Sequence, residues 1–350
     1  TIQKLDPYIN IDPGTLNPYE HGECYVTEDG AETDLDLGHY ERFLDSKTSQ
    51  NNNVTTGKIY QTVIEKERKG DFLGKTVQVI PHITNEIKRR IKILAKQNYD
   101  IIITEIGGTV GDIESLPYIE SVRQLKWELG EQNSMVIHLT LLPYLASSGE
   151  LKTKPSQHSV RQLMESGIQA DVLVCRTEHH IPKEQRVKVA QFCNVALENV
   201  IECKDLETIY EVPLYLQKQD FDDVVLKTLN LKSDKEADLK DWKSFLKKYK
   251  NPKKSVEIAL VGKYVSLQDS YKSIAEAFIH AGADLETEVK VRWVYSGDLD
   301  ATTIGETLSG IDGILIAPGF GDRGIEGKIE AAKYARENKI PLLGICLGRS

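Results

Sequence analysis

The stretch Tyr99-Asp-Ile-Ile-Ile-Thr-Glu-Ile-Gly-Gly-Thr-Val-Gly-Asp-Ile-Glu-Ser115 is an apolar run followed by a glycine-rich turn and an acidic segment. The β-branched run predicts a buried strand, and residues 113–129 have the pattern of a helix. A buried strand that leads through a turn into a helix is the βα unit of parallel sheets. This stretch therefore predicts an α/β fold.

The same alternation continues along the chain. Apolar runs at 134–140 and 170–175 predict two further strands, and the stretch 159–166 between them predicts a helix. In sheets of this kind, ligands bind beyond the carboxyl ends of the strands. The residues that follow each run are therefore the first candidates for a functional role.

A charged segment separates this pattern from a second one. Residues 231–254 are rich in Asp, Lys and Glu, which predicts a solvated helix followed by a linker. A second α/β pattern follows, with apolar runs at 256–262, 288–294, 311–316 and 340–343. We therefore predict an N-terminal domain at 1–231, a charged helical linker at 232–255 and a second domain at 256–350.

Composition excludes several classes of protein. The chain has 350 residues and a formal net charge of −9, which argues against a nucleic-acid-binding protein as a whole. Its five cysteines are scattered, so neither a disulfide framework nor a structural zinc site is predicted. No apolar run is long enough to span a bilayer and no signal peptide is recognisable, so we expect a cytoplasmic protein without a membrane partner.

Carboxylates follow two parts of the chain. After the predicted strand, Glu105, Asp112 and Glu114 gather near three glycines, a combination that suits Mg²⁺ held together with phosphates. A second acidic run, Gly30-Ala-Glu-Thr-Asp-Leu-Asp-Leu-Gly-His-Tyr-Glu-Arg42, would provide at most one or two further ligands, because Mg²⁺ leaves most of its shell to water and phosphate. The alternative for both runs is an acidic helix start.

Lysines form the second group of candidates. In Gly149-Glu-Leu-Lys-Thr-Lys-Pro-Ser-Gln-His-Ser159, the lysines alternate, and the proline favours an extended Lys154. Lys152 and Lys154 are therefore predicted to face one polyanion, with Ser156 and Gln157 as hydrogen-bond donors. Lys4, at the end of the first predicted strand, is placed to meet a phosphate. Solvated surface lysines remain the alternative interpretation.

The end of the second pattern carries a candidate nucleophile. Gly344-Ile-Cys-Leu-Gly348 follows an apolar run and has the spacing of a nucleophile elbow, in which flanking glycines permit a sharp turn. Such a turn exposes Cys346 at a helix N-terminus, which favours the thiolate. One strand earlier, Ala317-Pro-Gly-Phe-Gly-Asp-Arg-Gly324 would supply oxyanion-hole amides. A small buried cysteine and a plain βα turn are the alternatives.

These motifs resemble the CTP synthase family. The resemblance rests on Lys4-Leu-Asp-Pro-Tyr8, the acidic run from Glu28 to Phe43, Lys75-Thr-Val-Gln-Val-Ile-Pro-His-Ile-Thr84, the stretch 105–115, Gly149-Glu-Leu-Lys-Thr-Lys-Pro155, Gly262-Lys-Tyr, Pro318-Gly-Phe-Gly and the elbow. It implies a P-loop or Rossmann-like amidoligase domain with a parallel sheet. It also implies part of a flavodoxin-like class I glutamine amidotransferase domain.

The resemblance further implies an activity and its residues. ATP would phosphorylate UTP on the uracil O4, and ammonia from glutamine would displace the phosphate to give CTP. Asp36 and Glu105 would bind Mg²⁺, and Lys154 would support phosphoryl transfer. The implied nucleotide-binding residues are Lys4, Asp36, Asp112, Ile113, Glu114, Lys152, Thr153, Lys154, Pro155, Ser156, Gln157, Lys188, Lys204, Asp205 and Leu206.

In the amidotransferase part, the resemblance makes Cys346 the nucleophile that forms a glutamyl thioester. Glutamine and its oxyanion would be held by Gly319, Phe320, Leu347 and Gly348. The family also implies GTP as an allosteric activator, CTP as a feedback inhibitor and a homotetramer.

The sequence departs from the family pattern in three places. The family's phosphate loop before Lys4 and its triad histidine and glutamate are absent, and Arg349 and Ser350 replace a methionine and a glutamine. We therefore expect an internal fragment of a longer protein, which alone hydrolyses no glutamine. Two alternatives are a related amidotransferase with another substrate and a non-catalytic nucleotide-sensing or filament-forming homologue.

Overall fold

The computed structural model describes residues 1–233, 235–319 and 321–346. Their backbone contacts divide the chain into two compact units. Unit 1 contains Thr1–Ile11 and the described residues of Asn51–Ala237. Unit 2 contains Asp12–Gln50 and the described residues from Asp238 onwards. The boundaries at 231 and 256, which come from sequence alone, remain a prediction.

The chain alternates strands and helices. In chain order the strands are β1 (Ile2–Asp6), β2 (Tyr25–Val26), β3 (Glu32–Thr33), β4 (Asn53–Thr55), β5 (Ile103–Ile106), β6 (Ile137–Leu141), β7 (Tyr144–Leu145), β8 (Glu150–Leu151), β9 (Val172–Thr177), β10 (Val200–Lys204), β11 (Lys254–Gly262), β12 (Thr287–Tyr295), β13 (Gly313–Ile316) and β14 (Leu342–Gly344). The helices are α1 (Pro18–His21), α2 (Asp36–Leu44), α3 (Thr56–Lys69), α4 (Thr84–Ile91), α5 (Leu116–Leu129), α6 (Lys154–Glu165), α7 (Lys183–Cys193), α8 (Val212–Gln217), α9 (Phe221–Thr228), α10 (Lys240–Lys250), α11 (Lys272–Asp284), α12 (Ile304–Thr307) and α13 (Ile325–Glu337).

Unit 1 contains two parallel sheets of three strands, with the orders β4-β1-β5 and β10-β9-β6. Both central strands are largely buried, but they differ in character. In β1, the polar Gln3, Lys4 and Asp6 are buried together with Leu5, which is 1% exposed. Strand β9 is mostly apolar, as strands of covered parallel sheets usually are, and its Leu173 is fully buried. The predicted strands at 134–140 and 170–175 are confirmed as β6 and β9. The run at 99–105 gives a shorter strand, because pairing begins where Ile103 meets Ile2 of β1.

Unit 2 is built on one parallel sheet of four strands in the order β12-β11-β13-β14. Its strands match the four runs of the second sequence pattern, so the α/β class is confirmed in both units. Fully buried Ala259, Leu260 and Val261 of β11 form the centre of this core. The predicted charged helix is α10, but it is not solvated all round, because Leu246 is buried and Phe245 packs against His280.

Helix α13 packs very closely on unit 2. An ideal Cβ at Gly327 of α13 would lie only 1.8 Å from Ser296 O, so no larger residue fits without a shift of backbone. This close approach sets the depth of α13, and the next residue, Lys328, points its ammonium at Ala317 O, 2.8 Å away. The glycine therefore positions a cation at the carboxyl end of β13.

We expect Gly327→Ala to lower the free energy of unfolding of unit 2 by about 1–3 kcal/mol, because the added methyl group must displace Ser296 O. Gly305→Ala is the matched control, since its Cβ would meet open space in α12. That control should raise the free energy of unfolding by about 0.4–1 kcal/mol, because alanine lowers the conformational entropy of the unfolded chain. Urea midpoints followed by circular dichroism measure both, and equal midpoints would contradict the packing argument.

Candidate functional site

The N-terminus of α6 lies at the carboxyl end of β6. Ser156 is fully buried, and its hydroxyl lies 2.9 Å from Leu141 O and 3.0 Å from Thr140 Oγ1. Gln157 donates to Thr153 Oγ1 at 3.0 Å. The segment predicted to hold a polyanion is thus fixed to the edge of the sheet where ligands of parallel sheets bind.

The prediction of an extended Lys154 is wrong. Lys154 is the first residue of α6, and Pro155 occupies the first helical turn, where a missing N–H costs no hydrogen bond. Lys154 remains exposed, whereas Lys152 is half-buried and forms an ion pair with Glu150. The two lysines therefore do not lie on one face of a strand, although both lie at the start of α6.

The glycine loop after β5 meets the same helix. An ideal Cβ at Gly111 would lie 3.1 Å from Gln162 Cγ of α6, and Gly111 has the positive φ of +104° that favours glycine. Asp112, Ile113 and Glu114 follow this contact and are exposed. Residues 112–114 thus follow a glycine that packs against Gln162 of α6, whereas residues 152–157 lie at the start of the same helix.

The first sheet of unit 1 carries its own polar cluster. Lys4 lies within β1 rather than at its end and is 8% exposed, with its Nζ 3.6 Å from Asp6 Oδ1. Asn53 donates to Asp6 Oδ2 at 2.7 Å. Lys4 is also in register with Glu105 of the neighbouring strand β5. A lysine and two carboxylates therefore lie on adjacent strands.

The predicted magnesium ligands fall in different units. Glu105 belongs to unit 1, whereas Asp36 begins α2 in unit 2. Among the described residues, no group of three or more His, Cys, Asp or Glu side chains forms a metal site. The pairing of Asp36 with Glu105 on one ion therefore stays a prediction.

The remaining nucleotide candidates lie around β10 and α7. Lys204 ends β10, and the backbone N–H of Asp205 donates to Thr177 O at the end of β9, at 2.9 Å. Leu206 is half-buried. Lys152 and, much less strongly, the exposed Lys188 of α7 lower the pKa of the Glu150 carboxyl. Lys204–Leu206 therefore share the carboxyl edge of the second sheet with α6.

In unit 2 the structure describes the predicted elbow as far as Cys346. Strand β14 ends at Gly344, and Cys346 is exposed with φ at +56°, a conformation that is strained for any residue with a Cβ. The adjoining Ile345 N–H donates to Ile316 O of β13 at 3.0 Å. The thiol is therefore presented beyond the sheet by a backbone that the neighbouring strand holds in place.

Two buried lysines hold the glycine loop beside this thiol. Lys263, 2% exposed, donates to Gly321 O at 2.5 Å, and Lys328 donates to Ala317 O at 2.8 Å. Burial and, less strongly, nearby Arg323 lower the pKa of Lys263. Burial and then Lys263 lower the pKa of Lys328, an effect that the Cys346 side chain opposes. The carbonyl groups of Ala317 and Gly321 are thus each fixed by an ammonium group.

Three candidate glutamine residues, Phe320, Leu347 and Gly348, lie outside the described residues. Gly319 is described, and its φ of +159° is extended backbone. An ideal Cβ there would lie 3.3 Å from Lys263 Cδ and 3.7 Å from Lys328 Nζ. Gly319 therefore lies directly over the two lysines.

Two family models match this chain. Residues 1–231 match the family model described as CTP synthase N-terminus, and residues 266–349 match glutamine amidotransferase class-I. The chain belongs to the CTP synthase family. None of the described helices has both the length and the apolar character needed to cross a membrane.

Individual relatives place the chain within that family. It is 68% identical to a CTP synthase of Christiangramia forsetii and 69% identical to one of Flavobacterium psychrophilum. Each alignment extends over 349 residues, or 99% of this chain. The chain spans only 64–65% of the length of these CTP synthases. Among solved structures, a Trypanosoma brucei CTPS glutaminase domain with bound acivicin is 40% identical, with a TM-score of 0.26, over 27% of this chain and 37% of that one.

Sequence reasoning missed the roles of Lys263 and Lys328 in this CTP synthase family member. The sequence identifies Lys263 only as part of Gly262-Lys-Tyr. Lysine side chains are almost always exposed, so its burial is not expected from sequence. One signal was present, because Lys263 directly follows the apolar strand β11, whose carboxyl end lies beside that of β13. A lysine at the carboxyl end of β11 therefore lies next to the loop that follows β13, and its ammonium can donate to carbonyl groups of that loop.

The strain at Cys346 yields a prediction. Cys346→Gly should raise the free energy of unfolding of unit 2 by about 1 kcal/mol relative to Cys346→Ala, because glycine adopts a positive φ without a Cβ clash. Both variants lack the thiol, so the difference isolates the backbone strain. Urea midpoints of the two variants measure it. A lower midpoint for the glycine variant would argue that the elbow is relaxed.

Proposed function

We propose that the full-length protein containing this sequence makes CTP from UTP, ATP and glutamine. The observation that carries the proposal is the presence, in one chain, of two separate sites: the polar edge around α6 in unit 1 and the strained, exposed Cys346 in unit 2. The high identity to proteins named CTP synthase supports it. A ligase that uses glutamine needs both, one site to activate the acceptor and another to release ammonia.

The chemistry explains why both sites are needed. The uracil O4 is a poor leaving group, so the γ-phosphoryl group of ATP is first transferred to it. Ammonia then attacks C4, and inorganic phosphate leaves with the former O4. In this proposal Lys154, exposed at the first turn of α6, contacts the transferred phosphoryl group, where it offsets developing negative charge.

Unit 1 would bind the nucleotides along the carboxyl edges of its sheets. UTP would contact 112–114 and 152–157, with Lys188 nearby, and ATP would contact Lys4 and Lys204–Leu206. Mg²⁺ fits oxygen donors such as Glu105 and Asp36, and when bound it neutralises phosphate charge. CTP as a feedback inhibitor would share the UTP residues.

Unit 2 would release the ammonia. The Cys346 thiolate attacks the glutamine carboxamide, ammonia leaves, and water hydrolyses the thioester to glutamate. Gly319, Phe320, Leu347 and Gly348 would hold the substrate and its oxyanion. GTP activation, assembly as a homotetramer and a cytoplasmic location complete the proposal, and they rest on membership of the family.

The division of labour between the sites predicts the effect of Cys346→Ala. In the full-length protein this variant should lower glutamine-dependent CTP formation by about a thousandfold or more, because the nucleophile is lost. Added ammonium chloride should support wild-type rates, since ammonia bypasses the thioester. CTP formation is followed by its absorbance change.

The control for that experiment is Cys193→Ala, which removes a buried thiol of α7 outside either proposed site. It should leave both reactions within about twofold of wild type. Failure of ammonia to rescue Cys346→Ala would contradict the division of roles. Failure of the wild type with either nitrogen source would instead favour a non-catalytic nucleotide sensor.

Glu105→Gln tests the proposed metal ligand. The amide keeps the shape of the side chain but removes its charge, so the Mg²⁺ concentration for half-maximal ammonia-dependent CTP formation should rise at least about tenfold. Glu128→Gln is the control, because Glu128 pairs with Lys88 and Lys92 outside the proposed site. An unchanged Mg²⁺ requirement in Glu105→Gln would remove Glu105 from the metal site.

A further inference from the structure

The segment Asp12–Gln50 belongs to unit 2, although it lies inside the residues that match CTP synthase N-terminus. It is fastened to the start of α11 by several hydrogen bonds. Glu23 N–H donates to Asp269 O at 2.9 Å, and Ser270 Oγ donates to Pro18 O at 3.0 Å. The Glu23 carboxylate accepts from the Ser273 N–H at 2.9 and 3.0 Å. The segment is therefore built into the amidotransferase part of the chain.

Tyr19 lies at the point where this segment reaches the glycine loop. Its hydroxyl donates to Lys263 O, and its ring packs edge-on against Tyr264, with centroids 5.1 Å apart. Tyr19 thereby contacts the backbone of the residue whose side chain holds Gly321 O. The hydroxyl and the ring make separate contacts, so they are separable by mutation.

Lys263 is held from its other side as well. Its backbone N–H donates to Tyr271 Oη at 3.0 Å, and that hydroxyl lies 3.3 Å from Pro318 O. The backbone of Lys263 is thus clamped between Tyr19 and Tyr271, and its ammonium spans to Gly321 O. Lys263 is thus linked to Gly321 directly through its ammonium and to Pro318 through the Tyr271 hydroxyl.

We propose that Tyr19 is a positioning residue for glutamine hydrolysis, which acts through Lys263 on the described loop residues Pro318, Gly319 and Gly321. The inference rests on the proposed function. Oxyanion donors stabilise a transition state only when they are held at hydrogen-bond distance from the developing charge. Glycine permits more backbone conformations than other residues, and this part of the sequence has glycines at 319, 321 and 324. The hydrogen bond from Tyr19 to Lys263 O adds a restraint that comes from the residues matching CTP synthase N-terminus.

The test compares Tyr19→Phe with Tyr264→Phe in the full-length protein. Tyr19→Phe removes the hydrogen bond to Lys263 O and keeps the ring contact. Tyr264→Phe removes a hydroxyl from the other ring of the pair, and within the described part of the chain that hydroxyl makes no hydrogen bond. Glutamine hydrolysis, glutamine-dependent CTP formation and ammonia-dependent CTP formation are measured for each.

Tyr19→Phe should lower kcat for glutamine about two- to tenfold, the range for the loss of one hydrogen bond, with KM unchanged within about twofold. A misplaced oxyanion donor weakens the transition state more than the bound substrate, so kcat falls while KM does not. Ammonia-dependent CTP formation should stay at the wild-type rate. Tyr264→Phe should match the wild type in all three assays.

Alkylation of Cys346 by iodoacetamide separates positioning from general damage. This reaction needs an exposed thiolate and no oxyanion donor, so its rate should be the same in Tyr19→Phe and wild type. A parallel fall in alkylation and hydrolysis would overturn the proposal, as would equal kcat values for the two variants. A wild type that makes no CTP overturns the proposed function and this inference together. An active wild type with an unaffected Tyr19→Phe overturns the inference alone.

Discussion

Parallel strand direction is the constraint on which both candidate sites depend. In a parallel sheet the carboxyl ends of neighbouring strands meet at one edge, and the residues that follow them converge there. In unit 2 this brings the loop after β13 beside the elbow after β14, because Ile316 is in register with Gly344. In unit 1 it brings α6 and the end of β10 to one edge of the sheet that contains β9. Residues that are far apart in sequence thus lie close together because the strands before them are neighbours in one sheet.

The candidate site around Cys346 carries energetic costs that the fold offsets. Burial of Lys263 and Lys328 disfavours their charged forms, which is why their pKa values are lowered. Hydrogen bonds to carbonyl oxygens compensate for part of that cost. The positive φ of Cys346 is a second cost, because the elbow requires it to expose the thiol. Both costs arise at the carboxyl edge of one sheet, because Lys263 follows β11, Lys328 holds the residue after β13 and Cys346 follows β14.

The sequence predicted the elements that depend on local pattern. Strands β6 and β9 follow from apolar periodicity, and the structure contains both. The elbow at 344–348 is described only as far as Cys346 and stays a prediction. Lys154 shows the limit of local rules. The residue before a proline prefers an extended conformation, yet the buried Ser156 hydroxyl anchors the first turn of α6 to Leu141 O and favours a helix there. Two local rules conflict here, because proline also favours the first turn of a helix, and the contact of Ser156 with Leu141 O supports the helical choice.

The membership of Asp12–Gln50 in unit 2 was also beyond sequence reasoning, since Tyr19 and Lys263 are 244 residues apart. The ends of the segment explain how unit 1 tolerates it. The chain leaves after β1 and returns to β4, and these strands are adjacent, with Lys4 in register with Asn53.

Thr55 Oγ1 donates to Ile11 O at 2.9 Å, and Gly57 permits the close approach of Ile9 O, so the exit and the return are held together inside unit 1. A segment with its ends pinned in this way adds little loop-closure cost to unit 1, because the closing contacts already exist. Its 39 residues are therefore available to pack against α11 and to clamp Lys263. The residues at both ends of the segment are held by contacts within unit 1, and the segment itself contacts Lys263 and Ser273 of unit 2.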